Sequence, residues 1–141
     1  MKLFKIFSNG RVFDEELYAQ LKELDNWIFP GCGDEFHKNR EWWVMVSRGK
    51  IIAYSGYIYS SGVCIFNRAW VASAFRGQGI QKRMIRTRLR AAKKSCKVAI
   101  TYTTPDNFPS ANNLIKCGFL LYSPEYAYAG RQMLYFTKPI Q

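Results

Sequence analysis

Val71-Ala72-Ser73-Ala74-Phe75-Arg76-Gly77-Gln78-Gly79-Ile80 is the stretch on which the fold turns. The apolar run ending at Val71 reads as a strand. Beyond Gly79, Ile80, Met84, Ile85, Leu89 and Ala92 recur at helical spacing. The two glycines between them let the backbone turn tightly and let a ligand approach without meeting a Cβ. A helix start presents unpaired N–H groups and the positive end of the helix dipole. Strand, glycine turn and helix start together make a cradle for a pyrophosphate. Taken alone, the same pattern fits an ordinary tight turn equally well.

Upstream, residues 41–47, 51–59 and 63–71 are rich in aromatic and β-branched side chains. Arg48-Gly49-Lys50 and Ser60-Ser61-Gly62 separate them, and turns this short predict an antiparallel meander. Further back, residues 2–7 read as a strand and Ser8-Asn9-Gly10 as a turn. Asp14 can cap a helix in which Leu17, Leu21, Leu24 and Ile28 form a buried stripe. Pro30-Gly31-Cys32-Gly33 breaks it, and residues 34–40 read as a loop or a short second helix. Downstream come a helix over 79–95, a strand over 97–104 and a helix opening at Pro105-Asp106-Asn107 and reaching Lys116. Strands over 119–122 and 132–137 close the chain. This order predicts one α/β layered domain spanning 1–141, with a mixed, mostly antiparallel central sheet flanked by helices.

Composition narrows the classes. A chain of 141 residues with 48% hydrophobic side chains suits one packed core rather than disorder. No apolar run reaches the length of a membrane span, and no signal peptide is legible, so a soluble cytoplasmic protein is expected. Cys32, Cys64, Cys96 and Cys117 show no metal-knuckle or redox spacing, and His37 is the only histidine, so no metal site is expected. Residues 1–41 carry six basic and eight acidic side chains, residues 42–141 fifteen and two. A basic half of this kind points to an anionic partner.

The glycine loop and its surroundings resemble the coenzyme-A loop of the GCN5-related N-acetyltransferase (GNAT) superfamily. Val71, Arg76, Gly77, Gly79 and Ile80 fit that family's strand end, five residues, then R-G-x-G-I/A. Thr103-Thr104-Pro105-Asp106-Asn107 looks like its second motif, and Asn107, Ser110, Lys116, Gly118 and Phe119 match the N-x-x-S-x-x-x-x-x-K-x-G-F that follows. The resemblance covers roughly residues 41–137, with 17–28 as the family's first helix. It implies acetyl-CoA as co-substrate and transfer of an acetyl group to an amine. Backbone groups of Val71 and Ala72 would meet the pantetheine arm. Gln78, Gly79, Ile80 and Gln81 would offer N–H groups to the pyrophosphate, behind Arg76 and Gly77. Asn107 and Ser110 would face the distal part of the cofactor, and Lys82 or Arg83 its 3′-phosphate. Gln81 departs from the family's usual Gly or Ala, so its Cβ must point away from the phosphates.

The catalytic groups are less complete. The family's usual thiolate acid, a Tyr seven residues after the motif Asn, is here Leu114. Ser110 matches a serine that lies near the sulfur in another branch and is the candidate acid. The strand 63–71 lacks the family's frequent Glu base; Asp34, Glu35, His37, Glu41, Glu125 or a tyrosine among 102, 122, 126 and 128 remain, and none is singled out. The resemblance places a substrate cleft where the strands ending at Val71 and starting near Ala99 part. Its walls would be Trp70, Thr101 and Tyr102, under lids at 29–37 and 124–130. The acidic first lid leans toward a cationic acceptor: a protein N-terminus, a lysine or a polyamine. The helix after the loop carries Arg83, Arg86, Arg90, Lys93 and Lys94 and no acid. That is either a solvated face or a docking face for an anionic macromolecule. The rival expectation to catalysis is a family-fold protein without turnover that binds acyl-CoA, such a macromolecule, or both.

Overall fold

The computed structural model describes residues 1–140. Strand β1 (Leu3–Ser8) turns through Asn9-Gly10 into a two-residue strand, β2 (Arg11–Val12), which the sequence did not announce. Asp14 then starts helix α1 (Glu15–Ile28), its carboxylate accepting the Leu17 N–H at 2.9 Å. Residues 34–39 form no helix; the Asp34 side chain accepts the Phe36 N–H instead, a local turn that competes with helix. Strands β3 (Arg40–Ser47), β4 (Lys50–Ser60) and β5 (Val63–Val71) form the expected meander.

After the glycine loop comes α2 (Ile80–Ala92), shorter than the predicted 79–95. Lys94 and Ser95 bond back three residues, to Ala91 and Ala92, which tightens the chain out of the α-helix. Then follow β6 (Val98–Thr103), α3 (Phe108–Lys116), β7 (Leu120–Tyr122) and β8 (Leu134–Pro139). All eight strands join one sheet in the order β2-β1-β3-β4-β5-β6-β8-β7. Every junction is antiparallel except β5–β6.

Alternation along the strands divides the core between two faces. On one, Leu17, Leu21, Leu24 and Ile28 of α1 pack on Ile6, Trp42, Val44 and Tyr54. On the other, Ile85, Leu89 and Ala92 of α2, with Ala111 and Leu114 of α3, pack on Trp43, Tyr57, Phe66, Ala99 and Phe136. The parallel junction is short. β5 and β6 are in register only at Val63–Val98, Cys64–Ala99 and Ile65–Ile100. A final link runs from the Thr101 hydroxyl to the Phe66 carbonyl at 2.9 Å, and beyond it the strands part. Opposite Ser55 of β4, strand β5 carries an extra residue, with Arg68 at φ +54°. This β-bulge turns the strand away from β6 and re-aims its side chains.

Candidate active site

The parting strands leave a groove of about 700 Å³ between the glycine loop, the start of α2 and α3. Val71, Arg76, Gly77, Gly79, Ile80, Gln81, Lys82, Asn107 and Ser110 line it, so most of the residues picked from sequence converge there. Ala72 and Gln78 stand outside the lining. The Ala72 N–H already donates to the Ile52 carbonyl at 2.8 Å, and the Val71 carbonyl accepts Arg76 Nε at 3.0 Å. The strand end is therefore less free for a ligand than the sequence suggested, and Arg76 is partly spent on bracing its own loop.

Gly77 and Gly79 lie at φ +78° and +80°, and a Cβ at either would meet nothing within 4 Å. Backbone conformation, not crowding inside the protein, requires glycine, and the space above the loop is open. Gly79 begins α2 without a side-chain cap, and the first turn holds no acid. The N–H groups of Ile80, Gln81 and Lys82 have no helical partner at that position, which favours an anion. The cations lining the groove are Arg76, Lys82 and Lys116. Arg83, the alternative to Lys82 for a phosphate, points elsewhere and donates to the Met1 carbonyl at 2.8 Å.

Gln81 reaches across to α3, donating to the Ser110 hydroxyl at 3.0 Å and accepting from Asn113 Nδ2 at 2.7 Å. Its side chain thus points away from the loop and braces the two helices. Asn107 caps α3 by accepting the Ser110 N–H at 3.3 Å.

Ser110 sits where the groove continues into a smaller cleft of about 220 Å³ between β5 and β6. Thr101 and Tyr102 line that cleft as expected, with Phe29 from the first lid; Trp70 lines the outer groove. Leu114 lies at its wall, 6% exposed and packed in the core. The second lid is tied down: the Tyr135 hydroxyl accepts the Ala129 N–H and donates to the Gly130 carbonyl, and Tyr128 packs edge-on against Tyr102 and Tyr135.

Of the base candidates, Tyr102 alone lines the cleft; Asp34, Glu35, His37, Glu41, Glu125, Tyr122, Tyr126 and Tyr128 do not. Glu41 is held by Lys5 at 2.9 Å and by Ser8 at 2.8 Å. Glu35 accepts from Asn67 at 3.1 Å and pairs with His37 at 3.3 Å. Burial raises the pKa of Tyr102, Tyr122 and Tyr128 above the ordinary tyrosine value, which keeps them protonated and leaves less phenolate to act as a base.

Three polar residues escaped the sequence reading. Arg68, at the bulge, pairs with the buried Asp25 of α1 at 2.7 Å and also donates to the carbonyls of Cys32 and Gly33, fastening the first lid to β5. Asp25 also accepts from the Tyr54 hydroxyl at 2.9 Å. Arg88 is 3% exposed, although it looked like part of a basic helix face. A signal was present: Met84, Arg88 and Ala92 are spaced by four, so Arg88 falls on the apolar stripe. Likewise Asp25 follows Leu21 by four.

A mixed sheet splayed at one parallel junction, with a glycine loop feeding a helix at the splay, matches the fold of GNAT acetyltransferases. The profile of the Acetyltransferase (GNAT) family matches residues 4–119, and the chain belongs to that family. Solved structures agree in fold. Escherichia coli ElaA superposes with a TM-score of 0.78 at 11% identity, over 98% of this chain and 99% of that one. The aminoglycoside 6′-N-acetyltransferase from Enterococcus faecium gives 0.75 at 13% identity, over 100% and 98%. An aminoglycoside 6′-N-acetyltransferase complexed with coenzyme A gives 0.75 at 14% identity, over 100% and 98%. No curated protein sequence matches the chain significantly.

Proposed function

We propose that the protein is an N-acetyltransferase that moves an acetyl group from acetyl-CoA to a primary amine. The observation that carries this reading is the acid-free groove at the uncapped start of α2, lined by Arg76, Lys82 and Lys116 and running into a cleft between parted strands. The N–H groups of Ile80, Gln81 and Lys82 would receive the pyrophosphate, with Lys82 or Lys116 on a further phosphate. The pantetheine arm would lie along Val71, beside Asn107 and Ser110. Acetyl-CoA bound there would present a thioester whose carbonyl carbon is the electrophile.

The amine nitrogen forms the new C–N bond, the C–S bond breaks with its electron pair passing to sulfur, and the products are an amide and a free thiol. Ser110 stands at the junction of groove and cleft. Its hydroxyl would protonate the departing sulfur and regain a proton from solvent. With no carboxylate lining the cleft, the proton lost by the amine goes to water. Calorimetry with acetyl-CoA, followed by thiol release across a panel of amines and peptides, tests the reading. Absence of acetyl-CoA binding would overturn it.

One observation favours a second reading. Leu114, in the position of the family's usual acid, is a core residue, and no carboxylate replaces the missing strand base. Tight acetyl-CoA binding without thiol release from any amine would mark a family-fold protein that binds acyl-CoA without turning it over.

A further inference from the structure

The inner cleft contains an unusual charge. Arg88 rises from α2 to its floor and is 3% exposed. Its Nε donates to the Met84 carbonyl at 3.3 Å and its Nη1 to the Gly56 carbonyl at 3.2 Å. Its guanidinium lies 4.4 Å from the centre of the Phe66 ring. An arginine has five N–H donors, so two bonds to neutral carbonyls leave most of its capacity and all of its charge unmatched. Among the described residues, no carboxylate lines the cleft or the outer groove. The cleft's other arginine, Arg68, already pairs with Asp25. Burial, and then the proximity of Arg40, pull the Arg88 guanidinium down to about 9, still a cation at neutral pH. A second group in the same cleft is also unmatched. The Thr103 hydroxyl, on a residue 8% exposed, has no hydrogen-bond partner. A buried cation without a counter-ion, lining the same cleft as a buried hydroxyl without a partner, is costly unless a ligand supplies what both lack.

We propose that the inner cleft binds a carboxylate carried by one of the two reactants, with Arg88 as its charge partner and Thr103 as a hydrogen-bond donor. The inference rests on the acyltransferase reading above and narrows its substrates. It turns the expected acceptor away from polyamines, since a polycation would meet Arg88 with no acid to offset it. The carboxylate has two sources, an amino-acid-like acceptor or a dicarboxylic acyl group on the thioester. The cleft's chemistry is the same for both.

The test begins with acetyl-CoA calorimetry on the intact protein; if acetyl-CoA does not bind, the acyltransferase reading fails, and this inference with it. The donor arm compares succinyl-CoA with butyryl-CoA, by affinity and by hydrolysis or transfer rate. The acceptor arm compares amino acids with the matching amino-acid amides, by kcat/KM with acetyl-CoA. The expected result is a preference of at least about tenfold for the carboxylate form in one arm, which also identifies the source. Arg88→Met should abolish that preference while leaving acetyl-CoA affinity within about threefold. Thr103→Val, a near-isosteric change, should weaken it several-fold and covers the case in which Arg88→Met does not fold. No preference in either arm, or a preference untouched by both substitutions, would overturn the proposal and leave acetyl-CoA binding standing.

Discussion

Gly79 and Ser110 carry the sharpest expectations at the scale of single residues. Gly79→Val puts a branched side chain into the open space over the loop, at a φ of +80° that valine resists. Acetyl-CoA affinity should fall by well over tenfold, more than about 1.4 kcal/mol. Circular dichroism should report an intact fold, because the loop is exposed. Unchanged affinity in a folded variant would remove the phosphate role from this loop. Ser110→Ala separates two jobs. The hydroxyl accepts from Gln81, whereas the cap of α3 uses the Ser110 backbone N–H, which alanine keeps. The variant should bind acetyl-CoA within a few-fold of wild type and lose roughly 10²-fold in kcat, the scale of a missing acid–base group. A parallel fall in affinity would instead assign Ser110 to cofactor binding.

At the scale of elements, the first lid depends on one buried pair. Asp25 and Arg68 have side chains only 6% and 7% exposed and join α1 to the bulge of β5. Asp25→Ala leaves the Arg68 charge buried without its partner and should cost about 3–5 kcal/mol in denaturant unfolding. Converting Arg68 to Met in the same chain should recover most of that loss. Additive losses in the double variant would show that the pair is not coupled. This pair also marks the limit of what the sequence displays. The strands, helices and glycine loop were legible because they follow local rules: alternation, helical spacing, caps and turn residues. The convergence of Arg76, Gly79, Asn107 and Ser110 was legible because a family motif fixes their spacing. Asp25, Arg68 and Arg88 were not singled out, because their roles depend on partners 29 to 43 residues away in sequence. A polar residue on an apolar stripe is the only local trace such a partnership leaves. The partners of the acidic first lid were hidden for the same reason: Asp34 accepts from Phe36, and Glu35 meets Asn67 and His37.

On the scale of the whole molecule, the net charge is +11, and part of the basic excess lies on one helix. Arg86, Arg90, Lys93 and Lys94 are exposed along α2 and its end, opposite the face that α2 buries. Arg83 belongs to the N-terminal contact instead. If this face docks an anionic macromolecule, duplex DNA or an acidic protein should bind at low salt. For DNA, affinity should fall with a log–log slope of roughly −3.6 for four phosphate contacts. Changing all four residues to Gln should abolish that binding and spare acetyl-CoA, whose proposed site is at the opposite end of the helix. No retention at low salt would make the face a solvated one. The seam between β5 and β6 works at the same scale. Inside the edge pairs β1–β2 and β7–β8, eight residue pairs join β3 to β4, six join β6 to β8, and only three join β5 to β6. Under tension or thermal breathing the sheet should therefore open there first, as two stiff plates on a short hinge. Whatever lies in the splay acts as a brace between the plates, so occupancy of the cleft and rigidity of the protein rise and fall together.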